Sequence, residues 1–422
     1  MDAQLYAQCQ AILTGELVPA LGCTEPIAIA FAAAKARQVL GLFPKSILVQ
    51  CSGNIIKNVK SVVVPNSGNM KGVAASAVLG AVGGNPDLYL ETLSGIIQED
   101  RIRTKEFLDS GMCRVELIEG TGNLQIVVEM QSDSQSSLVE ILHSHTHIQR
   151  IEKNGKSIFS SNIGFSQEKA IDYSILNLGT ILEFTQAVRL EDVKTMLDRQ
   201  IDFNLSIAYE GLKNPYGANV GKTLLKQYGD DIKVMAKALP AAGSDARMNG
   251  CGMPVVINSG SGNQGMTASL PIIAYAAHLQ SPVEKKYRAL ILSNLVAIYQ
   301  KSLIGKLSAY CGAVSAAAGA GAGIAYLFNA SPAIIEATIT NTLANISGIV
   351  CDGAKASCAA KIASSVDAAQ MAYFMAADDQ VFLPGDGLVG PTTDYTIRNI
   401  GRVGRDGMQS TDREIFRIML DL

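Results

Sequence analysis

The sequence predicts an α+β protein: a large, mainly helical domain with a smaller α/β domain inserted near its start. Three observations carry that expectation. From about residue 46 to residue 165 the chain alternates short β-branched runs with turn residues, as strands and their connections do. On both sides of that region lie long apolar stretches with helical spacing and helix start signals. Hydrophobic residues are 48% of the 422 and charged residues only 17%, with 39 glycines, which fits a large buried core with closely approaching backbones. The expected division is residues 1–45 and 166–422 for the helical domain and 46–165 for the insertion.

Taken in order, residues 3–17 read as a helix that ends at the turn Val18-Pro19-Ala20-Leu21-Gly22. Cys23-Thr24-Glu25-Pro26 then opens a second helix to about Leu40: Thr24 is a good N-cap, Glu25 suits the positive helix end and Pro26 the first turn. Residues 46–51 and 59–64 read as strands, and Gly68 to Gly72 leads into a small-residue helix over 73–82. Residues 113–118 and 124–130 read as strands joined through 119–123, and 136–142 as a helix. Residues 148–152 and 156–159 flank Lys153-Asn154-Gly155, a hairpin signal. Beyond residue 167 helices are expected at 190–212, 220–228, 232–239, 268–278, 283–303, 313–328, 331–343 and 358–375, with loops in the glycine- and charge-rich stretch 385–412.

The composition also excludes functions. A net charge of −3 gives no basic field for nucleic acid, and a chain without tryptophan is poorly supplied with base-stacking platforms. Residues 248–283 and 307–335 carry no Asp, Glu, Lys or Arg, long enough to raise a membrane span. The first contains Asn258-Ser-Gly-Ser-Gly-Asn-Gln-Gly265 and the second is alanine- and glycine-rich, with no flanking positive pattern, so buried helices are the expectation, packing within or between chains. The start MDAQLYAQCQ lacks the basic and apolar regions of a signal peptide, which points to the cytoplasm. There the eight cysteines are thiols, metal ligands or catalytic groups rather than a disulfide framework.

Cys311 follows a helix end, and Cys351 and Cys358 come 40 and 47 residues later. A straight helix would separate Cys351 from Cys358 by about 10.5 Å, too far for one compact cluster, but Gly353 permits a bend. The spacing matches no short ferredoxin run, and on spacing alone ordinary core packing is favoured for these three. Cys23, just before a capped helix, is either a packed residue or a thiolate that a helix N-terminus stabilises. His143, His145 and His147 alternate and read as a solvated strand face, because the usual zinc spacings are not met. Gly260-Ser-Gly262-Asn-Gln-Gly265 fits the dinucleotide fingerprint, but Glu284, at the ribose-binding distance, opens a helix where that fold needs a strand. Gly217 to Thr223 is one residue short of a phosphate-binding loop.

Ala20-Leu-Gly-Cys-Thr-Glu-Pro-Ile27, with Cys311, Cys351 and Cys358, resembles the L-cysteine desulfidase family, which is related to the iron–sulfur L-serine dehydratases. Pro65 to Gly72, Met248 to Gly252 and Asn258 to Gly265 resemble its glycine-rich blocks, so the likeness spans nearly the whole chain. The resemblance implies a lyase of amino-acid breakdown with a four-iron, four-sulfide (4Fe-4S) cluster on Cys311, Cys351 and Cys358, and Cys23 as catalytic base. It implies a small amino acid as substrate, L-cysteine giving sulfide, ammonia and pyruvate, or L-serine giving ammonia and pyruvate. Ser67, Asn69, Lys71, Ser261 and Asn263 are candidate contacts to its carboxylate or amine, with ordinary turn chemistry the alternative. Some related dehydratases carry a further cysteine near the chain end to cap the free iron; Arg417 to Leu422 holds none, so a fourth iron ligand is substrate, water or another residue, with Cys251 one candidate. The reading from another class is a non-enzymatic small-ligand-binding or membrane-associated protein built on the uncharged helices.

Overall fold

The computed structural model describes residues 1–118, 124–161, 172–305 and 307–420. Eight strands occur among them: β1 (Pro19–Leu21), β2 (Ser46–Ser52), β3 (Cys113–Ile118), β4 (Gln125–Gln131), β5 (Ser136–Leu142), β6 (Ile148–Lys153), β7 (Lys156–Ser160) and β8 (Pro254–Val256). Six form one sheet in the order β3-β2-β4-β5-β6-β7, parallel between β2 and β3 and antiparallel elsewhere. β1 and β8 make a separate antiparallel ribbon. The remainder is mainly helical, so the α+β expectation stands.

Within the sheet, β5 corrects the helix expected over 136–142. Ser137, Val139 and Ile141 are buried at alternate positions, a period of two that no helix can bury. Residues 59–64 are not a strand either. A helix, Gly53–Val59, ends there, and Val63 makes a single bridge to Lys71 while Val62 and Val64 pack as separate core contacts. The β6–β7 hairpin turns at Asn154 and Gly155, both at positive φ, as its sequence signal predicts. The expected 119–123 connection lies outside the described residues.

Two hydrophobic cores divide the molecule. One gathers Val49, Ile126, Val128, Val139 and Ile141 of the sheet with Ala28, Ile29, Phe31 and Leu40 of the helix Thr24–Leu40. The other draws in Ile27 and Ala30 of that same helix, together with the long C-terminal helices. Thr24–Leu40 is therefore the common wall, and residues ahead of the expected boundary at 45 serve the sheet. The uncharged stretches fold as buried helices, Gly262–His278 and Gly312–Leu327. No helix among the described residues is long and apolar enough to cross a membrane. The stretch 385–412, expected to include loops, has turns and irregular backbone to residue 392 and then the helix Thr393–Arg402, and a last helix spans Gln409–Leu420. That last helix lies on Gly53–Val59, where Asp412 pairs with Lys57 and Phe416 packs over Gly53.

Candidate active site

Four helices begin at one cavity. Cys23 is the N-cap of Thr24–Leu40, Ser261 of Gly262–His278 and Cys311 of Gly312–Leu327, and Cys358 is the first residue of Cys358–Ala377. All four line the same space, with Cys351 and Asn263. Local pairing explains the convergence. The β1–β8 ribbon pairs Leu21 with Pro254 and Pro19 with Val256, and the loop that follows β8 returns to the start of the helix Thr24–Leu40, where Thr24 Oγ1 donates to the Gly260 carbonyl at 3.0 Å. Across the cavity, Tyr310 and Val350 form a bridge in which Cys311 N bonds to Ile349 O at 2.9 Å and Cys351 N to Ala309 O at 2.6 Å. The chain then turns at Gly353, at φ 93°, before a helix starts at Cys358. A side chain at Gly353 would begin 2.5 Å from the Lys57 carbonyl. The bend that a compact cysteine cluster requires is present.

Helix N-termini carry partial positive charge, and buried cations add to it. Lys57 is 2% exposed, Lys301 4% and Arg247 2%, and all three line the cavity. The Cys351 thiol is drawn down to about 6: its bond to Cys311 outweighs burial, with help from Lys57, the Gly353 N–H and Lys301. Cys311 is pushed well up by the same bond and by burial. Cys358 rises to about 11, through burial and then through Cys351. Burial depresses the Lys301 ammonium while Cys351 and Cys311 pull it back toward the charged form. Among the described residues no three His, Cys, Asp or Glu side chains converge as a site for a single ion. Ligands of a multi-iron cluster bind separate irons and need no such convergence. Three thiols facing one cavity, with two buried ammonium groups behind them, are a donor set whose chemistry suits an anionic iron–sulfur cluster.

Cys23, which packs in one small cluster with Cys358, behaves differently from the thiolate expected of a helix start. It is 2% exposed, and burial together with the Glu25 carboxylate pushes its thiol well up. Its Sγ donates to Glu25 Oε2 at 3.1 Å. Glu25 also accepts from Thr24 Oγ1 at 3.1 Å and from Asn58 Nδ2 at 3.0 Å, and His145 Nε2 stands 3.9 Å from its Oε1. Burial opposes ionisation of Glu25, but His145 and the Cys23 thiol hold it well below the usual carboxylate range. His145 comes from the 143–147 turn between β5 and β6 and is buried, so the solvated strand face expected for the three histidines is wrong for this one.

Of the remaining candidates, Ser261 and Asn263 line the cavity, and Ser67, Asn69 and Lys71 do not. Ser67 is buried with its hydroxyl on the Met70 carbonyl, and Asn69 and Lys71 are exposed on the turn this closes. Cys251 packs in the larger core near Tyr216, away from the cavity. The dinucleotide fingerprint lacks its fold: β8 pairs antiparallel with β1, and Glu284 lies in the helix Val283–Ile304. Sequence reasoning missed Lys57, Asn58, His145, Arg247, Gln264 and Lys301. Lys301 carried a signal, a charge on the apolar run of a buried helix.

The serine dehydratase alpha chain family matches residues 72–417. A UPF0597 protein of Lachnoclostridium phytofermentans is 55% identical over 417 residues, 99% of this chain and 100% of its own. One from Desulfitobacterium hafniense is 50% identical over 411 residues, 97% of this chain and 96% of its own. A third, from Treponema denticola, is 44% identical over 429 aligned residues, 100% and 99% of the two chains. A match over most of the chain, together with relatives alike from end to end, makes this protein a member of the serine dehydratase alpha chain family.

Proposed function

We propose that the protein is an iron–sulfur-dependent β-eliminase that converts L-cysteine to sulfide, ammonia and pyruvate. The observation that carries this reading is the meeting of two kinds of cysteine in one cavity: Cys311, Cys351 and Cys358 beside buried cations, and Cys23 against a carboxylate. Cys311, Cys351 and Cys358 would hold a 4Fe-4S cluster, which when bound would supply Lewis-acid chemistry to the elimination.

The chain's own groups handle the proton. In the resting protein Cys23 Sγ holds a proton shared with Glu25 Oε2. A thiolate able to accept the Cα proton of the substrate forms only when that proton leaves, and in the resting protein the raised Cys23 thiol and the lowered Glu25 carboxylate both oppose its passage to Glu25. Asn58, Thr24 and His145 keep Glu25 oriented toward the Cys23 thiol. Loss of the Cα proton and the β-substituent gives aminoacrylate, whose imine tautomer takes up water and releases ammonia and pyruvate. Ser261 and Asn263 contact the amino acid from the start of their helix. The room within the cavity, about 100 Å³, restricts the substrate to a small one.

L-Serine is the second reading, favoured by the description of the family to which the chain belongs. It needs the same residues and expels water in place of sulfide. Anaerobically purified protein, analysed for iron and acid-labile sulfide and assayed for pyruvate on both amino acids, tests the two together. Release of sulfide and pyruvate from L-cysteine supports the first, pyruvate from L-serine alone the second, and turnover of neither overturns both.

A further inference from the structure

We propose that Arg247 and Gln264 form the seat for the substrate's α-carboxylate and α-ammonium, and so select 2-amino acids over the corresponding amines. The identity of the substrate rests on the β-elimination reading; the capture of a small zwitterion does not.

Arg247 ends the helix Ile232–Met248 and is 2% exposed. Its single hydrogen bond among the described residues runs from Nη1 to Asn263 Oδ1 at 3.2 Å, and Nε has no partner. A guanidinium offers five donors, and burying it with so few engaged is costly unless an anion arrives. Gln264, 5% exposed, lies in the first turn of Gly262–His278, and its Oε1 also has no partner. Both line the cavity between Cys23 and Cys358.

The geometry brings them together for a reason. Gly262 has no side chain, and a Cβ there would stand 2.4 Å from Arg247 Nε. The guanidinium therefore lies against the opening turn of a helix, whose free N–H groups and dipole also favour an anion. A carboxylate bridging these donors gains charge-assisted, two-pronged hydrogen bonds. Gln264 is next in sequence to Asn263, which Arg247 bonds; its amide lies against Gly312 and its unpartnered oxygen is an acceptor for an ammonium in the same cavity. Donors and an acceptor lining one cavity match the two ends of an amino acid's backbone. They do not match an amine alone. Arg247 is also distinct from the two lysines: Lys57 and Lys301 act on Cys351, whereas Arg247 acts on Cys23 and Cys358.

The test begins with full-length, cluster-free protein titrated calorimetrically with L-alanine, which has both backbone groups and no leaving group, and with ethylamine. L-Alanine is expected to bind the wild type, and Arg247→Gln to weaken it by roughly tenfold or more, since a site built to bond a group is penalised when left unpaired. Ethylamine is expected to bind at least roughly tenfold more weakly than L-alanine for the same reason. Gln264→Met, which keeps the volume, is expected to weaken L-alanine by a smaller factor, and it carries the test if Arg247→Gln does not fold. Cluster-loaded Arg247→Gln is expected to keep wild-type iron and sulfide while KM for L-cysteine rises. L-Alanine binding equally to wild type and both variants, or to none of them, overturns the proposal. So does a variant that loses iron and sulfide with KM per cluster unchanged. If wild type turns over neither L-cysteine nor L-serine while L-alanine binding still depends on Arg247, the β-elimination reading fails and the zwitterion seat stands.

Discussion

Cys351 and Cys23 face the same cavity, and their surroundings drive them in opposite directions. Cys351 has a thiol partner, two buried lysines and a backbone N–H, and its thiol falls to about 6. Cys23 caps a helix, the position at which a thiolate is expected, yet burial and the Glu25 carboxylate push it well up. The difference teaches that a helix start is a weak electrostatic device when it is dry. Its worth of about 0.3–1 kcal/mol is overturned by one adjacent carboxylate in a low-dielectric site. Cys351 is thereby fitted to hold metal, and Cys23 to hold a proton.

Removing one cysteine of each kind is the most forceful way to break that contrast. Cys351→Ala is expected to abolish activity because the cluster is lost, read as the disappearance of iron and acid-labile sulfide. Cys23→Ala is expected to keep both while turnover falls by roughly 10²–10⁴, the usual contribution of a general base. If Cys23→Ala also loses its iron, the two kinds of cysteine are not functionally separate. Without the cluster the contrast becomes a difference in reactivity. In reduced, cluster-free protein at pH 7, iodoacetamide is expected to modify Cys351 at least roughly tenfold faster than Cys23, because the thiolate is the nucleophile. Mapped by mass spectrometry against pH, labelling of Cys351 falls off as the pH drops through about 6. Labelling of Cys23 still rises above pH 9. A smaller effect is expected from His145→Gln: a loss of roughly tenfold in kcat with iron content unchanged, the size of losing one oriented partner of the base. Loss in KM alone would place His145 with the substrate instead of with Glu25.

How much of this was legible follows from the kind of signal each residue leaves. Cysteines are rare, so Cys23, Cys311, Cys351 and Cys358 could be singled out, and the axial rise of a helix was enough to require the turn that Gly353 makes. Long helices were legible from their spacing. β5 was not, because its inward Ser137, Val139 and Ile141 occupy too few residues to separate a period of 2 from one of 3.6. His145 and Arg247 were illegible for a different reason. His145 reaches Glu25, and Arg247 the cavity, from elements whose place is set by tertiary packing: the turn between β5 and β6, and the end of a helix that meets Gly262. Ser67, Asn69 and Lys71 looked alike in sequence to Ser261 and Asn263, polar residues among glycines; both loops come near the Cys23 segment, and only tertiary packing, seen in the Thr24–Gly260 hydrogen bond, decides that the second lines the cavity.

The smallest expected effect tests the physical core of the comparison away from the chemistry. Asp245, 1% exposed in the helix Ile232–Met248, accepts the Gly221 N–H at 3.1 Å at the start of the helix Val220–Tyr228. Like Cys23 it sits at a helix N-terminus, and like Cys23 it is pushed up, to about 6, by burial that outweighs the Gly221 and Val220 N–H groups and Lys222. Its Oδ1 has no partner. An unfolded aspartate loses its proton near 3.9. Between pH 4 and 6 the folded state therefore holds a proton that the unfolded state has released, and stability falls as pH rises through that window. A shift of about two units is worth at most ~3 kcal/mol. Asp245→Asn keeps an oxygen for Gly221 and removes the charge. Against wild type it is expected to gain stability between pH 4 and 6 and to stay ahead by ~1–3 kcal/mol at pH 7, measured by denaturant unfolding at each pH. If the two proteins instead keep a constant difference across that range, burial does not outweigh the helix start at Asp245, and the same explanation for Cys23 loses its independent support.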